Sequence, residues 1–317
     1  MPSSLIQWFP GHMAKTRRLI KENLKYIDIV IEVRDARIPQ SSANPELSSL
    51  IGSKPLLTVF SKSSLADPAL SKLWKDAYTA AGLDCLFIDS VSGEGISKIK
   101  PSVDKILCQK LARYAEKGMH GRTLKAMIVG IPNVGKSCLI NKISASKKAK
   151  VENRPGVTLT KQWVTTTIGL DLMDMPGVLW PKFEDQSVGE KLAICGSIKD
   201  DILDSERLAV ALCALLRKGY PDALCERYKL PKESLAELDD HALFLAIGKR
   251  RGMMLRGGEI DMERCSKMLL DEFRSAKIGR LTLERPQERG PAPAAELTNI
   301  KTEADHEAPA DSVSTDA

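Results

Sequence analysis

The first 180 residues alternate short apolar runs with amphipathic stretches. Ile27–Val33 (IDIVIEV), Leu56–Phe60 (LLTVF, introduced by Pro55), Cys85–Ile88 and Leu124–Val129 read as strands, with two more over Gln162–Ile168 and Asp171–Met173. Between them, Leu70, Leu73, Trp74, Ala77, Tyr78 and Ala81 recur at helical spacing, Ile96–Ala115 has the same period, and a further helix opens at Lys136. Strands alternating with helices predict an α/β fold built on a doubly wound, mostly parallel sheet. From about Ser187 the strand signal stops. Leu192–Ala193, Leu208–Leu216, Leu235–Ile247 and Met262–Phe273 keep helical spacing, which predicts a small all-helical domain over residues 187–284 behind an α/β domain over 1–186. Residues 285–317 are rich in Pro, Ala and acids, bury little apolar surface and are expected to be a disordered acidic tail.

Composition sharpens this only slightly. The chain has 317 residues and a formal net charge of +6. From Glu284 onward, eight acidic side chains against three basic ones leave the tail at −5, so residues 1–283 carry +11. A basic body points to a polyanionic partner, nucleic acid first. No apolar run reaches the roughly 18 residues of a membrane span. The N-terminus lacks an apolar leader followed by a small-residue cleavage site, so a cytoplasmic protein is expected. The seven cysteines show no CxxC pair and no metal-type spacing with histidine, and are expected to be free thiols.

The chemistry concentrates in Gly130-Ile-Pro-Asn-Val-Gly-Lys-Ser137, which fits G-x-x-x-x-G-K-[ST] between a strand and a helix. In such a loop, backbone N–H groups of Asn133, Val134, Gly135, Lys136, Ser137 and Cys138 curl around a phosphate at the positive end of a helix dipole. Lys136 adds a charge at the β- and γ-phosphates, where it serves catalysis as well as binding, and Ser137 offers a ligand for Mg²⁺. Downstream, Asp174-Met-Pro-Gly177 follows a strand as a DxxG element should: Asp174 would hold Mg²⁺ through water and the Gly177 N–H would meet the γ-phosphate. Thr158, in Arg154-Pro-Gly-Val-Thr158, stands where a switch threonine completes the Mg²⁺ shell. The set reads as a P-loop GTPase-type site.

Such a site should be followed by NKxD and SAxxG, which recognise the base. Here only helical sequence follows. The two base-recognition positions fall before the P-loop instead: Ser61-Lys62-Ser63-Ser64 after the strand LLTVF, and Asp89-Ser90-Val-Ser-Gly93 after CLFI. The order is circularly permuted, with base recognition first and then P-loop, switch threonine and DxxG. A doubly wound sheet tolerates this when the old termini are joined and the chain is cut elsewhere.

With these features the sequence resembles the circularly permuted YlqF/RbgA ribosome-biogenesis GTPases. The residues that carry the resemblance are Trp8-Phe-Pro-Gly-His-Met-Ala-Lys15, Asp35-Ala-Arg-Ile-Pro39, the SVSGEG of Ser90–Gly95, GIPNVGKS, RPGVT and DMPGVLWP over Asp174–Pro181. Further matches lie near Gly248–Gly252 and Phe273–Arg280, so the resemblance spans about residues 5–285. It implies hydrolysis of GTP to GDP with Mg²⁺, late maturation of the large (50S) ribosomal subunit precursor, and rRNA contacts made partly by the helical domain. It also implies a hydrophobic residue in place of the catalytic glutamine after DxxG, here Val178. The water-positioning role then passes to the histidine of PGHM, here His12, and a potassium ion is implied near Asn133. Nothing points to a membrane, and a monomer off the ribosome is expected.

One departure stands out. Where the family carries NKxD, Ser61 replaces the asparagine and Ser64 the aspartate. That aspartate accepts two hydrogen bonds from guanine, each worth roughly 1.5–3 kcal/mol. Its loss is expected to cut guanine selectivity by about tenfold or more. Asp67 lies too far along the chain to replace it without a loop shift. The departure keeps a rival reading open: a nucleotide-binding rRNA placeholder with weak hydrolysis or relaxed base choice. Basic clusters at His12, Lys15, Arg17, Arg18, Lys21 and Lys25, at Lys147, Lys148 and Lys150, and at Lys249, Arg250, Arg251, Arg256, Arg274, Lys277 and Arg280 fit contacts with rRNA phosphates.

Overall fold

The computed structural model describes residues 11–119, 121–145, 162–180, 183, 185–198 and 204–286, with the side chains of residues 11–13 outside that set. Six strands form one sheet: β1 (Ile29–Asp35), β2 (Leu56–Ser61), β3 (Cys85–Phe87), β4 (Leu124–Val129), β5 (Gln162–Thr165) and β6 (Leu170–Asp174). Their order is β3-β2-β1-β4-β6-β5, parallel except for β5, which pairs antiparallel with β6 at the edge. All seven residues of β1 are buried, as expected of a central parallel strand covered on both faces.

The order places the site. From β1 the chain moves outward through β2 to β3; from β4 it crosses to the edge strand β5 on the other side and returns as β6. The carboxyl ends of β1 and β4 therefore border the crevice where a doubly wound sheet binds its ligands. Register aligns the key positions along that edge, with Asp35 opposite Ser61 and Asp174 opposite Ile128, one residue before the end of β4.

Several expected elements take a different form. Ile96–Ala115 is not one helix. It is interrupted at Leu107, at φ −97° and ψ 15°, which separates α4 (Ile99–Ile106) from α5 (Cys108–Glu116). The expected strand over Gln162–Ile168 stops at Thr165, where Thr166 bonds the Leu170 carbonyl at 2.7 Å and Gly169, at φ +75°, turns the chain into β6. Two helices carried no clear periodic signal: α1 (Gly11–Asn23) and the short α2 (Leu47–Ile51). Ile20 of α1 and Leu47, Leu50 and Ile51 of α2 belong to a second apolar cluster with Met127, Val129, Met173 and Val178. By contrast α3 (Pro68–Ala80) forms as the pattern indicates: Asp67 caps it, Pro68 starts it, and Leu70, Trp74 and Tyr78 are buried.

After α6 (Lys136–Ile143) and the β5–β6 hairpin the chain is helical: α7 (Gln186–Ile194), α8 (Ser205–Gly219), α9 (Pro221–Tyr228), α10 (Ser234–Glu237), α11 (Asp240–Arg250) and α12 (Met262–Arg274). Asp185, Asp204, Asp239 and Asp261 each accept a hydrogen bond from the first turn of the helix they cap, each worth about 1 kcal/mol. Leu208, Leu212, Leu216, Phe244, Ile247, Leu269 and Phe273 join the same continuous apolar cluster as the strand residues Ile29, Leu57, Ile128 and Leu172. After α12 the chain returns to the sheet. The Leu281 N–H donates to Leu65 O at 3.0 Å, and the Leu283 N–H to Arg37 O at 2.8 Å. All seven cysteines are free thiols.

Candidate nucleotide-binding site

The P-loop joins β4 to α6. Gly130 sits at φ +152°, where a Cβ would stand 2.4 Å from the Val33 carbonyl oxygen, so the loop leaves the sheet only if this residue is glycine. The Lys136 ammonium folds back onto the loop and donates to the carbonyls of Gly130 at 2.9 Å and Ile131 at 2.8 Å. Burial pushes its pKa down to about 8, offset only in part by the charge of Asp174. Asp174 ends β6. Burial pushes its carboxyl up to about 6 against the pull of Lys136, and neither carboxylate oxygen has a hydrogen-bond partner. Gly177 presses on the P-loop: a Cβ there would lie 2.8 Å from the Pro132 nitrogen. DxxG and the P-loop thus meet without space for a side chain.

The orphaned Asp174 carboxylate, beside the first turn of α6 that carries Ser137 and Cys138, fits a divalent cation brought in on a phosphate chain. Thr158, like Lys147, Lys148, Lys150 and the rest of RPGVT, lies outside the described residues. So do residues 1–10, including Trp8, Phe9 and Pro10, and residues 287–317 of the expected tail. His12 falls in the first turn of α1, its side chain also outside the described part. Val178 is 4% exposed within the apolar cluster that α1 covers, so its side chain serves packing.

The base-recognition elements arrive beside the P-loop despite preceding it in sequence. The Ser61 hydroxyl bonds the Val134 carbonyl and lies 3.0 Å from that of Arg34. Lys62, at φ +57°, sends its ammonium to Asp35 at 2.9 Å and to the Asn133 carbonyl at 2.8 Å. The Ser63 N–H donates to Ile88 O at 3.1 Å, which ties this loop to the next. The exposed Ser64 hydroxyl donates to Asp89. Ser90 Oγ is buried without a hydrogen-bond partner. Among the described residues, Asp174 and Ser90 are the two buried side chains that have orphaned polar atoms and no ion pair, and both belong to this site.

Asp67 does not stand in for the missing aspartate. Its carboxylate caps α3 and accepts from the Tyr220 hydroxyl at 3.0 Å.

A hub that the sequence shows only as a motif is Asp35 with Arg37. Burial pushes the Asp35 carboxyl up, but Arg37 and Lys62 together hold it well below the usual carboxylate range. Arg37, 2% exposed, makes two side-chain bonds to Asp35, reaches the carbonyls of Cys195 at 3.5 Å and Arg274 at 3.4 Å, and lies over the Phe273 ring. Part of the expected basic RNA-facing set is likewise engaged internally. Arg274 caps the α7 carbonyls of Ala193 and Ile194, Arg251 bonds Glu272, and Arg280 donates to the Ser63 and Ala66 carbonyls. Arg280 is nonetheless exposed, as are Lys249, Arg250, Arg256 and Lys277.

A P-loop, a DxxG element and two base-recognition loops at the carboxyl edge of a doubly wound sheet define a P-loop nucleotide-binding protein of the permuted GTPase class. Comparison with known proteins agrees. Residues 125–235 match the family described as 50S ribosome-binding GTPase. The chain is 46% identical over 286 residues to ribosome biogenesis GTPase A of Priestia megaterium, covering 89% of this chain and 98% of the relative. It is 45% identical to the Bacillus cereus protein of that name, over 90% of this chain and 96% of the relative. It is 33% identical to mitochondrial ribosome-associated GTPase 1 of Mus musculus, over 88% and 90%. In fold it is similar to YlqF of T. maritima in its GNP-bound crystal structure, with a TM-score of 0.58 at 24% identity over 86% of this chain and 98% of the other. The chain belongs to the ribosome biogenesis GTPase A (YlqF/RbgA) family.

Proposed function

We propose that the chain binds GTP, hydrolyses it to GDP and phosphate, and through this cycle times late maturation of the large (50S) ribosomal subunit precursor. The observation that carries the reading is the Asp174 carboxylate: buried, orphaned, coupled to the buried Lys136, and three residues before the glycine that abuts the P-loop. A group so costly to bury persists where a ligand completes it. Mg²⁺ carried by the nucleotide does so, and when bound it neutralises charge on the phosphates.

In this reading Lys136 exchanges the Gly130 and Ile131 carbonyls for phosphate oxygens. Ser137, Thr158 and Asp174 hold the metal, and the N–H groups of Val134, Gly135, Cys138 and Gly177 face phosphates. Ser61, Lys62, Ser63, Ser64, Asp89 and Ser90 surround the base. The burial of Val178 supports a water-positioning role for another residue, which we assign to His12. A potassium ion fits beside Asn133, whose amide nitrogen is used by Gly196 and whose amide oxygen is the acceptor end.

The names of the relatives support a ribosomal partner. The helical domain over residues 187–284 would face rRNA with Lys249, Arg250, Arg256 and Lys277, while the α/β domain over 1–186 carries the nucleotide and 285–317 forms a separate acidic tail. We place the protein in the cytoplasm as a monomer off the ribosome; among the described residues no helix is long and apolar enough to cross a membrane. Phosphate release from GTP, measured with and without large subunits in potassium buffer, tests the proposal: stimulation by the subunits is expected, and no release under either condition overturns it.

A further inference from the structure

The replacement of NKxD by Ser61-Lys62-Ser63-Ser64 has a counterpart in the second base-recognition loop. Where SAxxG begins with serine, this chain has Asp89, so the serine and the aspartate have exchanged places between the two loops. The structure brings the exchanged residues together, with the Ser64 hydroxyl donating to Asp89 Oδ2. We infer that Ser64 and Asp89 form one base-selective acceptor, in which the carboxylate orients the serine hydroxyl so that its oxygen receives a guanine N–H.

The proton count of the pair fixes its direction. Asp89 is 3% exposed, and its Oδ1 accepts from the backbone N–H groups of Val91 at 2.8 Å and Ser92 at 2.7 Å. The Ser64 hydroxyl, those N–H groups and the Ser92 side chain outweigh burial and hold the Asp89 carboxyl below its ordinary range, so it carries no proton to give. A serine hydroxyl has one proton. Committed to Asp89, it leaves Ser64 Oγ able only to accept.

Guanine offers donors on that edge, N1–H and the exocyclic amine. Adenine offers an N1 lone pair, which repels an acceptor. To serve adenine, the hydroxyl must turn away from Asp89 and leave Oδ2 without its donor, the kind of unpaired group that makes polar recognition selective.

Both loops are held in place for this task. Arg280 donates to the carbonyls of Ser63 at 2.9 Å and Ala66 at 3.0 Å, and the Asp89 N–H donates to Glu94 O at 3.0 Å. The fourth-position carboxylate is therefore relocated rather than lost, and guanine preference survives the SKSS sequence. This rests on the reading of the site as a guanine-nucleotide site.

The test is equilibrium binding of GDP, IDP and ADP, read by calorimetry on the full chain. Wild type is expected to prefer GDP over ADP by about tenfold to a hundredfold, with IDP, which keeps N1–H, nearer GDP. Ser64→Ala is expected to bring the GDP/ADP ratio within about threefold, and Ser64→Thr, which keeps the hydroxyl, to preserve it. Asp89→Asn should also collapse the ratio, because an amide can donate to Ser64 Oγ. If that variant unfolds, the two exposed Ser64 variants decide the matter. The reciprocal exchange Ser64→Asp with Asp89→Ser should keep the preference. Equal binding of GDP and ADP by wild type, or an undiminished ratio in Ser64→Ala, overturns the inference. Binding of neither nucleotide overturns the reading of the site itself.

Discussion

The side-chain amide of Asn133 donates to the backbone carbonyl of Gly196 at 2.8 Å. This bond fastens the P-loop to the end of α7. The neighbouring carbonyls of Ala193 and Ile194 are held by Arg274 from α12, and that of Cys195 by Arg37 after β1. The carboxyl end of α7 is thus where the phosphate loop, the DARIP segment and the last helix meet. Through this bond, any P-loop motion on nucleotide exchange is expected to reach the helical layer. Asn133→Ala leaves the Gly196 carbonyl unpaired and is expected to lower stability by about 1–3 kcal/mol. It should also erase any difference in large-subunit affinity between the GTP- and GDP-loaded protein, as read by sedimentation with subunits. A variant that keeps the full difference would show that the coupling runs elsewhere.

Gly177 offers a steric test. A Cβ at this position would meet backbone atoms of Pro132 at 2.8 and 2.9 Å, and the proline ring cannot swing away. Gly177→Ala is expected to cost about 1–3 kcal/mol and to weaken nucleotide binding by displacing the P-loop. Thermal unfolding and GDP titration measure the two effects.

Glu272 provides a dependence on pH. Its buried carboxylate accepts from Arg227 Nε at 2.9 Å and Nη2 at 2.6 Å, from the Tyr228 hydroxyl at 2.9 Å and from Arg251. Burial pushes the acid up, but these donors win and bring it down from 4.5 to about 2. A depressed carboxylate stabilises the fold fully above its unfolded value, and this contribution is lost as pH falls through the folded one. Wild type should therefore lose stability between pH 4.5 and about 2 in urea unfolding. Glu272→Gln should be less stable by roughly 3 kcal/mol at neutral pH and should lack that part of the slope.

In the proposed rRNA contact, the exposed cations of the helical region are expected to set the salt response of large-subunit binding. Replacing Lys249, Arg250, Arg256 or Lys277 by Ala should each reduce the slope of log K against log salt by about 1 where the side chain meets a phosphate. Arg274→Ala and Arg280→Ala should instead lower stability, because both guanidinium groups are spent on internal carbonyls. Binding measured at a series of potassium chloride concentrations, beside thermal unfolding, separates the two groups.

Much of the fold was legible because its signals are local. A buried central strand such as IVIEVRD reads as an apolar run, and aspartates at helix starts mark the caps of α8, α11 and α12. The P-loop and DxxG residues were legible because backbone sterics demand glycine at 130 and 177. Less was visible where meaning comes from distant contacts. The first helix has a weak apolar face and is anchored by Ile20 through tertiary packing. The backbone of Leu107 interrupts a stretch whose apolar period continues on both sides, so periodicity alone did not show it. Arg274 and Arg280 look like surface cations in sequence; with Arg37 they prove to be donors to carbonyls between 80 and 217 residues away along the chain. The Ser64–Asp89 pair was hidden for the same reason: each residue departs from its own motif, and only their contact shows that the two departures compensate.

The most direct test of the account is phosphate release from GTP by wild type and by Asp174→Asn, with and without large subunits in potassium buffer. Wild type should release phosphate and be stimulated by the subunits. Asp174→Asn removes the charge proposed to bind Mg²⁺ while nearly keeping the shape of a buried carboxylate, so it should lose most of that release yet remain folded. Equal, subunit-stimulated release by the two proteins would contradict the assignment of this crevice as the GTP site.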